Sequence, residues 1–141
     1  MAEMPCDFCD GASGDVLWQD PICRVVLVDD ARFPGFCRVV LGRHAREMTD
    51  LDAAERAEVM RVVFAVERAV RDVCRPDKVN VASLGNVTPH VHWHVIPRWH
   101  DDSHFPDPIW AGARRAGAAR DCTVAQREGM MRALRSHLAG H

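Results

Sequence analysis

The sequence predicts an α+β domain, with a mostly antiparallel sheet of about five strands, one long helix and a C-terminal helix. Two observations carry this. Short Val- and Leu-rich runs come in groups: strands, a stretch with helical periodicity, strands again, and a second helix. Strict strand–helix alternation, the mark of a parallel sheet, is missing. The chain has 141 residues, the length of one domain with a sizeable core.

Each element has a local reason. Asp15–Gln19 and Cys23–Val28 read as short strands split by Asp20-Pro21. Asp29–Gly35 contains Asp-Asp and Pro-Gly, a turn signal, and Phe36–Leu41 returns as a third strand to complete an antiparallel hairpin. Thr49 or Asp50 is placed to cap the long helix. Val59, Val62, Val63, Val66, Val70 and Val73 then recur at helical spacing, while Arg56, Arg68 and Asp72 fall largely elsewhere. About 24 residues at this pitch span roughly 36 Å, enough to cross a whole sheet. Arg75-Pro76-Asp77 ends the helix. Lys78–Leu84 is a fourth strand, Gly85–Pro89 a turn and His90–Pro97 a fifth strand. Trp99–Ala119, with Pro106 and Pro108, reads as a loop, and Thr123–Leu138 as a helix that buries Val124, Met131, Leu134 and Leu138. The whole of 1–141 is expected to form one domain, with 1–14 as an N-terminal segment and 98–141 as a C-terminal loop and helix.

Composition narrows the function classes. A formal net charge of −2 offers no broad basic footprint for nucleic acid. No apolar run approaches the roughly 18 residues of a membrane span. No basic start followed by an apolar run suggests export, so a cytoplasmic setting is expected. There, the six cysteines stay reduced, and a close pair suggests metal or redox chemistry before a disulfide.

The pattern that decides the reading is His90-Val91-His92-Trp93-His94-Val95-Ile96. On a strand, alternate side chains share a face, so His90, His92 and His94 project together, with Val91, Trp93 and Val95 opposite. On a helix the imidazoles would scatter. Such a row is a poor core but suits phosphate chemistry. A neutral imidazole attacks phosphorus when its far nitrogen keeps a proton on a fixed acceptor, and a second imidazole donates to a phosphoryl oxygen. A histidine-rich surface strand is the bland alternative. A zinc-hydroxide hydrolase, with two of these histidines as ligands, is the sharper one. Cys6 and Cys9 have the spacing of a metal knuckle that two histidines could complete; the pair does not open a helix after a strand, which argues against thioredoxin-like redox chemistry. Cys23, Cys37, Cys74 and Cys122 lack ligand spacing and read as packing, and His100, His104, His137 and His141 read as exposed.

The motif resembles the signature of the histidine triad family, His-φ-His-φ-His-φ-φ with φ apolar, complete over His90–Ile96. The resemblance extends over roughly Cys6–Pro97. It implies a HIT-like fold and a nucleotide hydrolase or nucleotidyltransferase that acts at the α-phosphate through a nucleotidyl-histidine intermediate. Dinucleoside polyphosphates and nucleoside phosphoramidates are the implied substrates. It implies His92 as the nucleophile and His94 as the phosphate-contacting histidine, the two catalytic residues. It places Asn80, Asn86 and Thr88 near the phosphates, and Asp29 or Asp30, with Asp29 favoured, at the ribose. Val87 stands where many relatives carry a Ser or Thr that helps the leaving group, so a nucleotide-binding module with weak catalysis is an alternative. The resemblance also implies that His44 and His90 join Cys6 and Cys9 around a structural zinc, and that the protein is a homodimer.

Overall fold

The protein is described here by a computed structural model covering residues 6–11, 14–120 and 124–139. The expectations for Cys122, Thr123 and His141 lie outside these residues. The elements are α1 (Asp7–Asp10), β1 (Asp15–Gln19), β2 (Cys23–Leu27), β3 (Cys37–Leu41), α2 (Ala53–Cys74), β4 (Lys78–Ala82), β5 (His92–Arg98) and α3 (Val124–Leu138). The strands form one antiparallel sheet in the order β1-β2-β3-β5-β4. The α+β class and the helices expected from the sequence are present.

Strand alternation sorts the side chains onto two faces. Val25, Val39, Leu41 and Val95 point to one face and pack against Val59, Val62, Val63, Val66 and Val70 of α2. Helix α3 adds Met130, Leu134 and Leu138 to the same core. A bulge between Val16 and Trp18 lets Leu17 and Trp18 both reach this face.

The opposite face is covered in two patches. Cys6 and Phe8 of the N-terminal segment sit on Val26 and Val40. Phe33, Phe36 and Ile96 form the second patch, with Ile109 from the long loop laid over them. The stretch of sheet between the patches holds His92 and His94.

Three boundaries differ from expectation by two residues or more. The cap of α2 is Asp52, not Thr49 or Asp50: its carboxylate accepts from the Glu55 N–H at 2.8 Å, and Glu55 accepts from the Asp52 N–H at 3.1 Å. Met48–Asp50 instead forms a separate 3-10 turn with its own reciprocal cap between Glu47 and Asp50. The fifth strand begins at His92 rather than His90. The fourth stops at Ala82, before Leu84. At the β2–β3 turn Gly35 has φ +97°, and a Cβ there would meet Cys74 Sγ at 2.3 Å, so glycine lets the turn lie against the end of α2.

Candidate functional site

A cleft of roughly 480 Å³ opens on the sheet face between the two patches. Its floor is His92 and His94 of β5 and Arg38 of β3, which lies directly across from His94 in the strand register. The loop after β4 contributes Asn86, Val87 and Thr88 to one wall; Asp7, Phe8 and Trp110 close other sides. The Phe8 ring lies 4.6 Å from that of His92, and Trp110 lies 5.0 Å from His94.

The two floor histidines are held differently. His92 Nδ1 donates to the carbonyl of His90 at 2.6 Å, which leaves the Nε2 lone pair as the free end of the ring. Ser83 Oγ donates to the His92 carbonyl at 2.7 Å and fixes the strand there. Burial lowers the basicity of His92, the His90 carbonyl opposes that, and Arg38 reinforces it. His94 Nδ1 is buried with no hydrogen-bond partner among the described residues. Burial first, then His92 and Arg38, push its pKa down to about 4. Both imidazoles are therefore neutral at physiological pH.

Beside the cleft, four side chains converge. Cys6 Sγ lies 3.4 Å from His90 Nδ1, Cys9 Sγ 3.3 Å from His44 Nδ1, and the two Nδ1 atoms 3.2 Å apart. All four ligand atoms lie within 4.8 Å of one another. Tetrahedral zinc, with Zn–N near 2.05 Å and Zn–S near 2.3 Å, sets edges of roughly 3.3 Å between nitrogens and 3.5 Å between nitrogen and sulfur. His90 Nε2 is bonded to the Leu41 carbonyl at 2.7 Å and so carries the ring proton, leaving Nδ1 bare toward the cluster. The donor set and its spacing fit such an ion. His90 precedes the strand, yet its ring keeps to the side of His92, since Phe8 touches both.

The structure thus brings together His92, His94, Asn86 and Thr88 in the cleft, and Cys6, Cys9, His44 and His90 in the cluster. Asn80, Asp29 and Asp30 are not among the described residues lining the cleft. Asn80 Oδ1 accepts from Arg98 Nη1 at 2.8 Å. Asp30 is held by Arg32 in a two-pronged ion pair at 2.9 and 3.0 Å, while Asp29 is exposed.

Comparison with known proteins decides the family. The HIT domain family model matches residues 11–101. This chain belongs to the HIT domain family. A histidine triad protein from Bradyrhizobium japonicum superposes with a TM-score of 0.69 at 31% identity, over 88% of this chain and 91% of that one. A Zn-bound histidine triad family protein from Mycobacterium smegmatis shares the fold with a TM-score of 0.61 at 24% identity, over 95% and 93% of the two chains. A curated relative, the AP-4-A phosphorylase of Mycobacterium tuberculosis, is 36% identical over 78 residues. That match spans 51% of this HIT chain and 40% of the relative, so the chain covers less than half the length of the curated protein it matches.

Several residues of this HIT site carry no motif signal in the sequence. Arg38 is one charge in an apolar strand, and its parity with Val40 places it on the histidine face. Phe8, between Cys6 and Cys9, belongs to no motif of its own. His104 is a correction: expected exposed, it is 3% exposed. Its Nδ1 pairs with Ser103 Oγ at 2.7 Å, and its backbone N–H donates to Asp102. The cause is Arg98, whose buried guanidinium grips Asp102 through two bonds and folds the loop down over β5. Trp110 at the far end of that loop reaches this chain's own cleft.

Proposed function

We propose that the protein is a nucleotide hydrolase or nucleotidyltransferase that acts at an α-phosphate through a covalent nucleotidyl group on His92. The observation that carries this is the bond from His92 Nδ1 to the His90 carbonyl, which fixes the ring tautomer and leaves a nucleophilic Nε2. Nε2 attacks phosphorus, a P–N bond forms, and the bond to the leaving group breaks with its electron pair on the leaving atom, which takes up a proton. Water or another acceptor then attacks phosphorus. The P–N electron pair returns to Nε2, and the acceptor's proton is released to solvent.

His94, beside His92 with an uncommitted Nδ1, is suited to donate to a phosphoryl oxygen as charge builds. Asn86 and Thr88 stand at the wall where the leaving group would exit. Val87 is 95% exposed and offers no hydroxyl, so Thr88 is the hydroxyl in reach of that role. At the ribose, Asp29 is favoured over Asp30, whose carboxylate is occupied by Arg32. Asn80 would assist indirectly, by holding Arg98. Dinucleoside polyphosphates and nucleoside phosphoramidates are the substrate candidates, and the mycobacterial AP-4-A phosphorylase match favours the first.

Cys6, Cys9, His44 and His90 would hold a structural zinc. With four protein ligands the ion has no open position, which speaks against a zinc-bound water as nucleophile. A single domain over 1–141, a homodimer and a cytoplasmic setting belong to the same reading. No helix among the described residues is long and apolar enough to cross a membrane.

His92→Ala is expected to abolish turnover of a dinucleoside polyphosphate while adenosine monophosphate still binds. Retention of most activity refutes the covalent mechanism. Binding without turnover by the unaltered protein favours the binding-module alternative that Val87 raises.

A further inference from the structure

We propose that Arg38 is the phosphate-binding residue of the cleft: the fixed positive charge that holds a substrate phosphate against the floor histidines. The inference rests on the nucleotide reading of the site and extends it to a residue on a different strand.

Arg38 projects from β3 onto the histidine face, opposite His94. Arg38 is half-buried, and no described residue forms an ion pair with it; its Nε is buried with no hydrogen-bond partner among the described residues. The Phe36 ring lies 5.5 Å from Cζ, a contact that leaves the N–H donors unused. Other arginines set the contrast. Arg32, Arg43, Arg61, Arg98, Arg114, Arg120 and Arg127 each pair with a carboxylate. A half-buried cation without a counter-charge is costly, and an anion entering the cleft removes that cost.

The charges lining the cleft point the same way. Its lining residues include one acid, Asp7, at the rim, and one permanent cation, Arg38. Burial keeps His94 neutral, so it contributes a hydrogen bond but no charge to the unliganded site. A phosphate dianion held here must find its electrostatic attraction in Arg38, whose planar fork matches two phosphoryl oxygens. The ligand class that follows is a phosphate monoester or polyphosphate, recognised by its charge.

The test is calorimetric titration of the metal-loaded protein with adenosine monophosphate, inorganic phosphate and adenosine. Unaltered protein, Arg38→Met and Arg38→Lys are compared after thermal melting shows each is folded. Arg38→Met is expected to weaken adenosine monophosphate and phosphate roughly ten- to hundredfold, with adenosine unchanged. Arg38→Lys should recover part of the loss, since charge returns without the fork. Equal monophosphate affinity in Arg38→Met overturns the proposal. So does a parallel loss of adenosine binding, or an unaltered protein that gains nothing from the phosphate. Failure of the covalent mechanism shows separately, as turnover surviving in His92→Ala, and leaves these binding results standing.

Discussion

Replacing Asp102 by Asn tests how the roof of the site is held down. Arg98 and Asp102 are each 1% exposed. Oδ2 accepts from Arg98 Nε at 2.8 Å and from the Trp99 N–H at 3.1 Å. Oδ1 accepts from Arg98 Nη2 at 3.0 Å, the His104 N–H at 2.9 Å and the Phe105 N–H at 2.8 Å. An asparagine keeps one oxygen and must turn an NH2 toward donors on the other side, whichever way it flips. The buried guanidinium loses its counter-charge at the same time. Breaking a buried pair from one side costs about 3–5 kcal/mol. With a urea slope of about 2 kcal/mol per molar, the unfolding midpoint should fall by roughly 1.5–2.5 M. Arg98→Met should cost less, because three backbone N–H groups still satisfy the carboxylate. The sign of the pH effect follows. Burial alone would raise the Asp102 carboxyl, but the bonds from Arg98 and the three N–H groups overcome it and hold it well below the usual range. Its stabilisation is complete above the unfolded value, about 3.9, and lost as pH falls toward the folded one. A midpoint shift under about 0.5 M in urea for Asp102→Asn would refute the reasoning.

His94 should stay neutral in an NMR titration down to about pH 5 and protonate near 4, where burial places it; a midpoint near 6.5 sinks that picture. Because its folded pKa is depressed, the stability it contributes is whole above about 6.5 and declines as pH falls toward 4, which acid-side melting curves will show. Chelation of a zinc-loaded sample should lower the melting temperature, and Cys9→Ser should abolish stoichiometric metal in elemental analysis; an unchanged metal content excludes the four-ligand cluster. Leu134→Ala, at a fully buried position of α3, should cost about 2–5 kcal/mol by chemical unfolding, whereas a cost below about 1 would show that α3 is not part of the core.

Periodicity made most of the fold legible. Valines of α2 and the alternating strands announce their faces because burial is what spaces them. Boundaries failed where a local signal competed with a better one nearby. Thr49 and Asp50 look like caps, yet the reciprocal bonding of Asp52 with Glu55 starts the helix and leaves the earlier residues to a 3-10 turn. His90 satisfies the alternation but leaves the strand, because its ring is held between the Leu41 carbonyl and the cysteines. His104 and Asp102 read as a polar surface loop, since nothing local shows that Arg98 will bury them. Arg38 carries no local signal, because only the β3–β5 register puts it opposite His94.

The three histidines are alike in sequence and are made unlike by what holds their nitrogens. His90 is committed at both: Nε2 to the Leu41 carbonyl, Nδ1 to the cysteine–histidine cluster. Its backbone carbonyl then accepts the proton of His92 Nδ1. The cluster therefore fixes the atom that orients His92, the proposed nucleophile, and a displacement of His90 would be felt at His92 through that single bond. His94 has no such anchor on Nδ1. Its tautomer is free to change, whereas that of His92 is set by the His90 carbonyl. A nucleophile must present a lone pair in one direction, and a donor to a phosphoryl oxygen must adjust as the oxygen's charge and position change. The rigid anchoring of His92 and the loose anchoring of His94 match the tasks proposed for them.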